Sequence, residues 1–281
     1  MPVSVVWFKR DLRVSDNQAL SEASKSPHPV ICLFNIEPER LERSDVSEIH
    51  IEWELDCARA LSESLETLGA KLLFSFGNVV DKLSQIHQEY EIASLYSHEE
   101  TGLTWSWERD KSVTKWCKEN EVIFTEYATN GVIRGLQSRD HWKSQRDARV
   151  DGELISTPVT IQSLEGLKSD IIPEAKELGI TPRELEYRPI AGEKAAISVL
   201  FSFLDERGRK YRSGMSSPIS GREACSRLSP YISTGCITIR QILHHSRRKQ
   251  KKVRVNPRSA ENRGWTSSLS SFQSLSLIHI S

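Results

Sequence analysis

Five short apolar runs, each followed by a helical pattern, constrain the first half of this chain more than any other feature. Val3–Trp7, Val30–Asn35, Lys71–Phe76, Ile92–Tyr96 and Val122–Thr125 are mostly continuous in hydrophobicity rather than alternating. Strands that read this way are buried on both faces, which calls for a parallel sheet with helices packed on each side. The intervening segments carry helical spacing. Residues 17–24 follow Asp16, expected as an N-cap. Residues 49–68 place Trp53, Cys57, Leu61, Leu65 and Leu68 on one face. Residues 79–90 follow Asn78, and residues 103–119 carry Trp107 and Trp116 in a charged pattern. Five β-α units predict a doubly wound α/β fold with a five-stranded parallel sheet. Such sheets take ligands beyond the carboxyl ends of their strands.

The phosphate motifs common at that edge are missing. No G-x-G-x-x-G follows the first run, and no G-x-x-x-x-G-K-[ST] occurs anywhere. The first run leads instead into Lys9-Arg10-Asp11-Leu12-Arg13, a polar loop expected as a salt-bridged turn.

Charge divides the chain. Residues 1–131 hold 13 Lys+Arg against 23 Asp+Glu, and residues 132–281 hold 25 against 15, so a net charge of zero hides −10 and +10. The basic half suits a polyanion such as nucleic acid. Its beginning, residues 150–190, is rich in Gly and Pro and is expected to wrap over the surface as an irregular connector. Helical patterning resumes at residues 191–205. Ser229-Pro230 reads as an N-cap with proline at N1, and Thr238 as the cap of the next helix. Arg247 to Arg254 holds six cations in eight residues. A flexible solvated loop is the leading expectation for it, with phosphate-backbone contact as the alternative. The five cysteines, Cys32, Cys57, Cys117, Cys225 and Cys236, show no C-x-x-C pair, which fits a reducing compartment. There is no apolar stretch long enough for a membrane span and no basic-then-apolar leader, so a cytoplasmic protein without membrane association is expected.

Two long segments carry a resemblance. Val6 to Leu20 (VWFKRDLRVSDNQAL) resembles the opening of the photolyase/cryptochrome family, and Tyr211 to Arg240 resembles that family's flavin-phosphate segment. Their order and separation match, and the likeness covers residues 1–274. Ser97 to Gly102, Trp105, Arg109-Asp110, Trp116-Cys117, Gly131 to Arg134, Arg139 to Trp142 and Met215 to Pro218 resemble the bacterial members that carry an iron–sulfur cluster and repair (6-4) photoproducts. The resemblance implies FAD, an antenna chromophore such as a lumazine, and a [4Fe-4S] cluster whose cysteines lie in a C-terminal region beyond this chain. It implies light-driven repair of damaged DNA, with an electron passing from reduced FAD to a pyrimidine photoproduct flipped out of the duplex. A cryptochrome-type blue-light receptor without repair activity is the alternative. A nonenzymatic nucleotide-binding domain joined to a basic nucleic-acid-binding region is a third reading.

Residue by residue, the resemblance puts Tyr211, Cys225, Ser226, Arg227, Leu228 and Ser229 at the FAD. Cys225 stands where many relatives have Thr. Cys32 and Glu37 are placed near the ligand edge of the antenna domain, although Glu37-Pro38-Glu39 also reads as an exposed acidic turn. Arg247, Arg248, Lys249, Lys251 and Lys252 are the expected DNA contacts. Trp7, Trp53, Trp105, Trp107, Trp116 and Trp142 are expected in cores or interfaces rather than in an electron-transfer chain. The implied organisation is an antenna domain at residues 1–131, a connector at 132–190 and the start of an all-α FAD-binding domain at 191–274. Residues 275–281 resemble the translation of a sequencing adapter, so a fragment of a longer, monomeric enzyme is expected, inactive alone.

Overall fold

A computed structural model describes residues 1–256 except 103, 168–170 and 182–184. Leu103 as a helix start, the approach to a flavin helix from Trp265, and the tail at residues 275–281 therefore lie outside the described residues.

All five expected strands form: β1 (Val3–Phe8), β2 (Val30–Ile36), β3 (Leu72–Phe76), β4 (Ile92–His98) and β5 (Ile123–Tyr127). They make one parallel sheet in the order β3-β2-β1-β4-β5. Central β1 is buried at every position, as a strand covered on both faces must be. Its neighbours fix the register, with Val6 opposite Cys32 on one side and Tyr96 on the other. The helices are α1 (Gln18–Ala23), α2 (Pro38–Leu41), α3 (Glu48–Glu66), α4 (Val79–Tyr90) and α5 (Thr104–Glu119). Val79, Leu83 and Ile86 of α4 and Val113, Trp116 and Cys117 of α5 join Val3, Val5 and Trp7 in one core. Successive strand residues face opposite ways, so Val6 and Phe8 serve the other face. Asn78 caps α4 as expected, accepting from Val80 N at 2.9 Å.

Two local expectations are corrected here. The cap of α1 is Asn17, whose side-chain oxygen accepts from Leu20 N at 2.9 Å. Asp16 has φ +49°, outside the extended region an N-cap needs, and its carboxylate accepts from Ile155 N instead. The segment after residue 154 is also more than a surface wrap. Ser163 bridges Val30 at the sheet, and Ile161, Leu164 and Leu167 are buried.

The chain forms two compact units. The first comprises Met1–Thr129, Ile155–Glu193 and Thr234–Cys236. The second comprises Asn130–Leu154, Lys194–Ser233 and the chain from Ile237 onward. Its described residues are helical or irregular: α6 (Trp142–Val150), α7 (Glu193–Asp205, all but its first residue), α8 (Tyr211–Gly214), α9 (Pro218–Ala224), α10 (Ser229–Ser233) and α11 (Ile239–Val255). Phe203 meets Tyr211 edge-on, and Phe201 meets His245 in the same way. The expected loop at Arg247–Arg254 is the second half of α11. Thr238 and Gln241 form a reciprocal capping box at its start. Ile239, Ile242, Ser246, Lys249 and Val253 then bury one stripe at helical spacing. Only three of those five are aliphatic, which hid the stripe among the cations.

Candidate functional site

In the sheet order, β1 and β4 are the strands from which the chain departs in opposite directions, so the crevice beyond them is where an open α/β sheet ordinarily takes a ligand. Here the chain fills that crevice itself. Asp11 is fully buried, accepts from Lys9 N at 2.7 Å and pairs with His98 Nδ1 at 2.7 Å. Burial would raise the Asp11 carboxyl, but the His98 hydrogen bond and the Arg13 charge hold it below the usual range. Burial holds His98 below its ordinary value, toward the neutral ring. Arg13 donates to Gly235 O at 2.8 Å and to Asp16 O. Lys9 Nζ lies 3.1 Å from both Asp110 and Glu126. The expectation of a salt-bridged turn is met, with the difference that Lys9, Asp11 and Arg13 are buried.

The cluster continues toward the end of β2. Arg109, on α5, donates to Glu100 at 2.6 Å and to Asp110 at 2.9 Å. Its guanidinium lies over Trp7 at 4.7 Å and Trp105 at 5.1 Å. Glu100 sits in this positive surround, which overcomes burial and lowers its carboxyl to about 2. Arg40 of α2 forms a two-pronged pair with Glu54 of α3 at 2.9 and 2.5 Å.

Glu37 is the exception. It follows β2 directly, precedes Pro38 at the start of α2, and is only 4% exposed. The exposed acidic turn is therefore ruled out. Arg109 Nη1 approaches its Oε2 only to 3.7 Å, and Oε1 has no hydrogen-bond partner. Burial, aided by the Glu100 charge, raises its carboxyl to about 7 against the pull of Arg109, Arg40 and a hydrogen bond from the Asn35 side chain. Asn35, two residues earlier, donates to Gly77 O at 3.0 Å while its own Oδ1 is buried without a partner. Two unpaired buried acceptors at one strand end are costly unless a donor-bearing group meets them. A ligand carrying N–H or O–H groups fits that requirement.

Cys32 is not part of this edge. It lies mid-strand between Val6 and Leu72, is fully buried, and has its thiol pushed up to about 12 by burial. Cys32 lies on β2 as expected, but four residues before the strand's carboxyl end rather than at the ligand edge.

In the second unit, Cys225 to Leu228 form the turn between α9 and α10, and Ser229 opens α10. Leu228 is fully buried, Ser226 is buried and Ser229 is exposed. Arg227 adopts φ +61°, uncommon for any residue other than glycine and the mark of a tight turn. Ser229 is the first residue of α10 rather than its cap. Arg207, which sequence reasoning passed over, organises this turn. It donates to the carbonyls of Cys225 and Ser226, and to Val199 O, while its guanidinium lies over Phe203. Tyr211 begins α8 and is 8% exposed. The Ser226 and Ser229 hydroxyls with the Arg227 cation are a donor set that suits a pyrophosphate.

On α11, Arg248, Lys251 and Lys252 are exposed. Arg247 pairs with Asp151 at 2.7 Å, and Lys249 is buried in a pair with Asp205 at 3.2 Å. Lys249 is thus corrected from a surface cation to an internal one. Trp7, Trp53 and Trp116 are core residues as expected, whereas Trp107 is 43% exposed. Among the described residues no group of three or more His, Cys, Asp or Glu could hold a metal ion. Among them, too, no helix is long and apolar enough to cross a membrane.

Comparison with known proteins agrees with this layout. Residues 4–138 match the DNA photolyase family model. An uncharacterized 31.6 kDa protein from the atpI 5′ region of Synechococcus sp. PCC 6716 is 24% identical, over 95% of this chain and 97% of its own length. A deoxyribodipyrimidine photo-lyase of another Synechococcus strain is 23% identical over 84% of this chain and 51% of its own. Cryptochrome-2 of Gallus gallus is 26% identical over 90% and 47%. This chain therefore spans about half the length of those two relatives. The crystal structure of a bacterial class III photolyase from Agrobacterium tumefaciens superimposes with a TM-score of 0.78 at 21% identity, over 99% of this chain and 57% of that one. The matching family model, the two named relatives and the solved structure are those of photolyases and cryptochromes, and the solved structure adds a shared fold.

Proposed function

We propose that this chain supplies the antenna domain and the first part of the flavin domain of a light-driven DNA-repair enzyme acting on pyrimidine photoproducts. The observation that carries the reading is the photolyase model match over residues 4–138, with a photolyase among the relatives aligned across most of the chain. FAD, when bound and reduced, supplies the electron on excitation.

The protein's own residues have distinct tasks in this reading. Arg207 occupies the carbonyls of Cys225 and Ser226, two acceptors that would otherwise repel a phosphate. Ser226, Arg227 and Ser229 are left to hold the FAD pyrophosphate, with Tyr211, Cys225 and Leu228 shaping the segment. Glu37 and Asn35 offer their unpaired oxygens to an antenna of lumazine type, whose ring and ribityl chain bring donors. Arg248, Lys251 and Lys252, with Arg247 at the rim, face a DNA backbone. The iron–sulfur subfamily and its [4Fe-4S] cluster belong to the proposal through the sequence resemblance alone, and the cluster's ligands lie outside the described residues. The 281-residue chain by itself is proposed to be inactive, because it spans only about half the length of the photolyase and cryptochrome relatives.

Cryptochrome-2 among the relatives favours a second reading, photoreception without repair. Illuminating oligonucleotides bearing a cyclobutane dimer or a (6-4) photoproduct with the parent enzyme separates the two. Light-dependent loss of either lesion supports repair. A flavin-loaded parent that leaves both lesions intact supports photoreception, and light-dependent repair by residues 1–281 alone would overturn the assignment of inactivity.

A further inference from the structure

Two thiols meet where the short segment Thr234–Cys236 packs within the first unit. Cys57 comes from α3 and Cys236 from that segment, 179 positions away in sequence, and both are fully buried. Thr234 Oγ1 lies 3.6 Å from Cys57 Sγ and 3.4 Å from Cys236 Sγ, so one hydroxyl bridges the two sulfurs. The thiols also hydrogen-bond to each other. Cys57 is the donor and is pushed up by that bond and by burial, whereas the same bond, with help from Thr234, Gly192 and Arg13, holds Cys236 down. The other three cysteines lack this arrangement. Cys32 and Cys117 are simply raised to about 12 by burial.

The surroundings fix the pair in place. Leu12 N donates to Thr234 O at 3.1 Å, and Arg13 donates to Gly235 O. Gly235 adopts φ +69°, and a Cβ there would collide with the backbone of Arg10 and Asp11. The segment is therefore held against the β1–α1 loop by backbone contacts that admit only glycine at its centre.

We propose that Cys57 and Cys236 form a redox-active dithiol that a small hydroperoxide oxidises to an intramolecular disulfide. The Cys236 thiolate attacks one peroxide oxygen, the O–O bond breaks, and a sulfenic acid and one water or alcohol result. The Cys57 sulfur then attacks the Cys236 sulfur, the S–O bond breaks, and the departing hydroxide takes the Cys57 proton to leave as water. Two thiols are oxidised by two electrons and one hydroperoxide is reduced. The product staples α3 to the turn that receives the loop after β1.

The test uses the full chain exposed to hydrogen peroxide and then alkylated under denaturing conditions. Free thiols are expected to fall from five to three. Non-reducing peptide mapping is expected to give a linked Cys57–Cys236 pair that dithiothreitol separates, with a higher thermal midpoint for the oxidised protein. A variant carrying Cys32→Ser, Cys117→Ser and Cys225→Ser, left with two thiols, should fall to none and give the same linked pair. Retention of all five thiols, linkage through any other cysteine, or oxidation of Cys236 to a sulfinic acid without linkage to Cys57 would overturn the proposal. The mapping is read on the unsubstituted chain, so it stands even if a variant fails to fold.

Discussion

Replacing Glu37 by Gln tests the buried edge at the end of β2. The native carboxyl titrates near 7 rather than near its ordinary 4.5, because burial disfavours the anion. Between those values the folded chain holds a proton that the unfolded chain has lost. Stability from this group is complete below about pH 4.5 and declines as pH rises through 7. At about 1.4 kcal/mol for each pH unit between those values, the stability lost through this group is about 1 kcal/mol at pH 5 and about 3 kcal/mol at pH 8. Gln keeps the shape and cannot ionise. Glu37→Gln is therefore expected to raise stability by about 1 kcal/mol at pH 5 and by about 3 kcal/mol at pH 8. Urea unfolding followed by tryptophan fluorescence reads the first unit, where Trp7, Trp53 and Trp116 are buried. A variant that is equally or less stable than the native chain at pH 8 would show that Glu37 is not strained by its surroundings.

Other substitutions probe the neighbouring contacts. Arg109→Ala leaves Glu100 without its strongest partner and should cost about 3–5 kcal/mol in the same urea assay. Asp11→Asn weakens the pairing with His98 and should cost about 1–3 kcal/mol at pH 7, with the variant also losing less stability than the native chain as pH falls through the acid range. Gly235→Ala forces a Cβ into the Arg10 backbone and should destabilise the first unit by at least about 2 kcal/mol, which a thermal melt would register. Arg207→Ala frees the Cys225 and Ser226 carbonyls and should weaken FAD retention by the parent enzyme about tenfold or more, measured by flavin release on dilution.

The sheet was legible because its strands are buried on both faces, and continuous apolar runs such as Val3–Trp7 leave little room for another interpretation. The cap of α1 was misplaced by one residue because Asp16 and Asn17 are equally good caps in sequence. Only the backbone, left-handed at Asp16, separates them. Glu37 illustrates a different limit. Glu-Pro-Glu looks like surface, and its burial depends on Arg109 and Arg40, 72 residues later and 3 residues later, neither of which announces a partner. The charges of α11 concealed its helix in a similar way, since Lys249 fills a core position by pairing with Asp205. Arg207 was missed because its targets are carbonyl oxygens, which every residue carries and no motif marks.

Titrating the chain with a ribityl lumazine, followed by ligand fluorescence at pH 8, bears most directly on the buried edge as a chromophore site. The first unit contains the whole five-stranded sheet and its edge, so the chain carries every residue named for this site. Saturable binding of one equivalent, weakened about tenfold or more by Glu37→Ala and unaffected by Lys251→Ala, is expected. Absence of saturable binding, or binding that Glu37→Ala leaves unchanged, would contradict it.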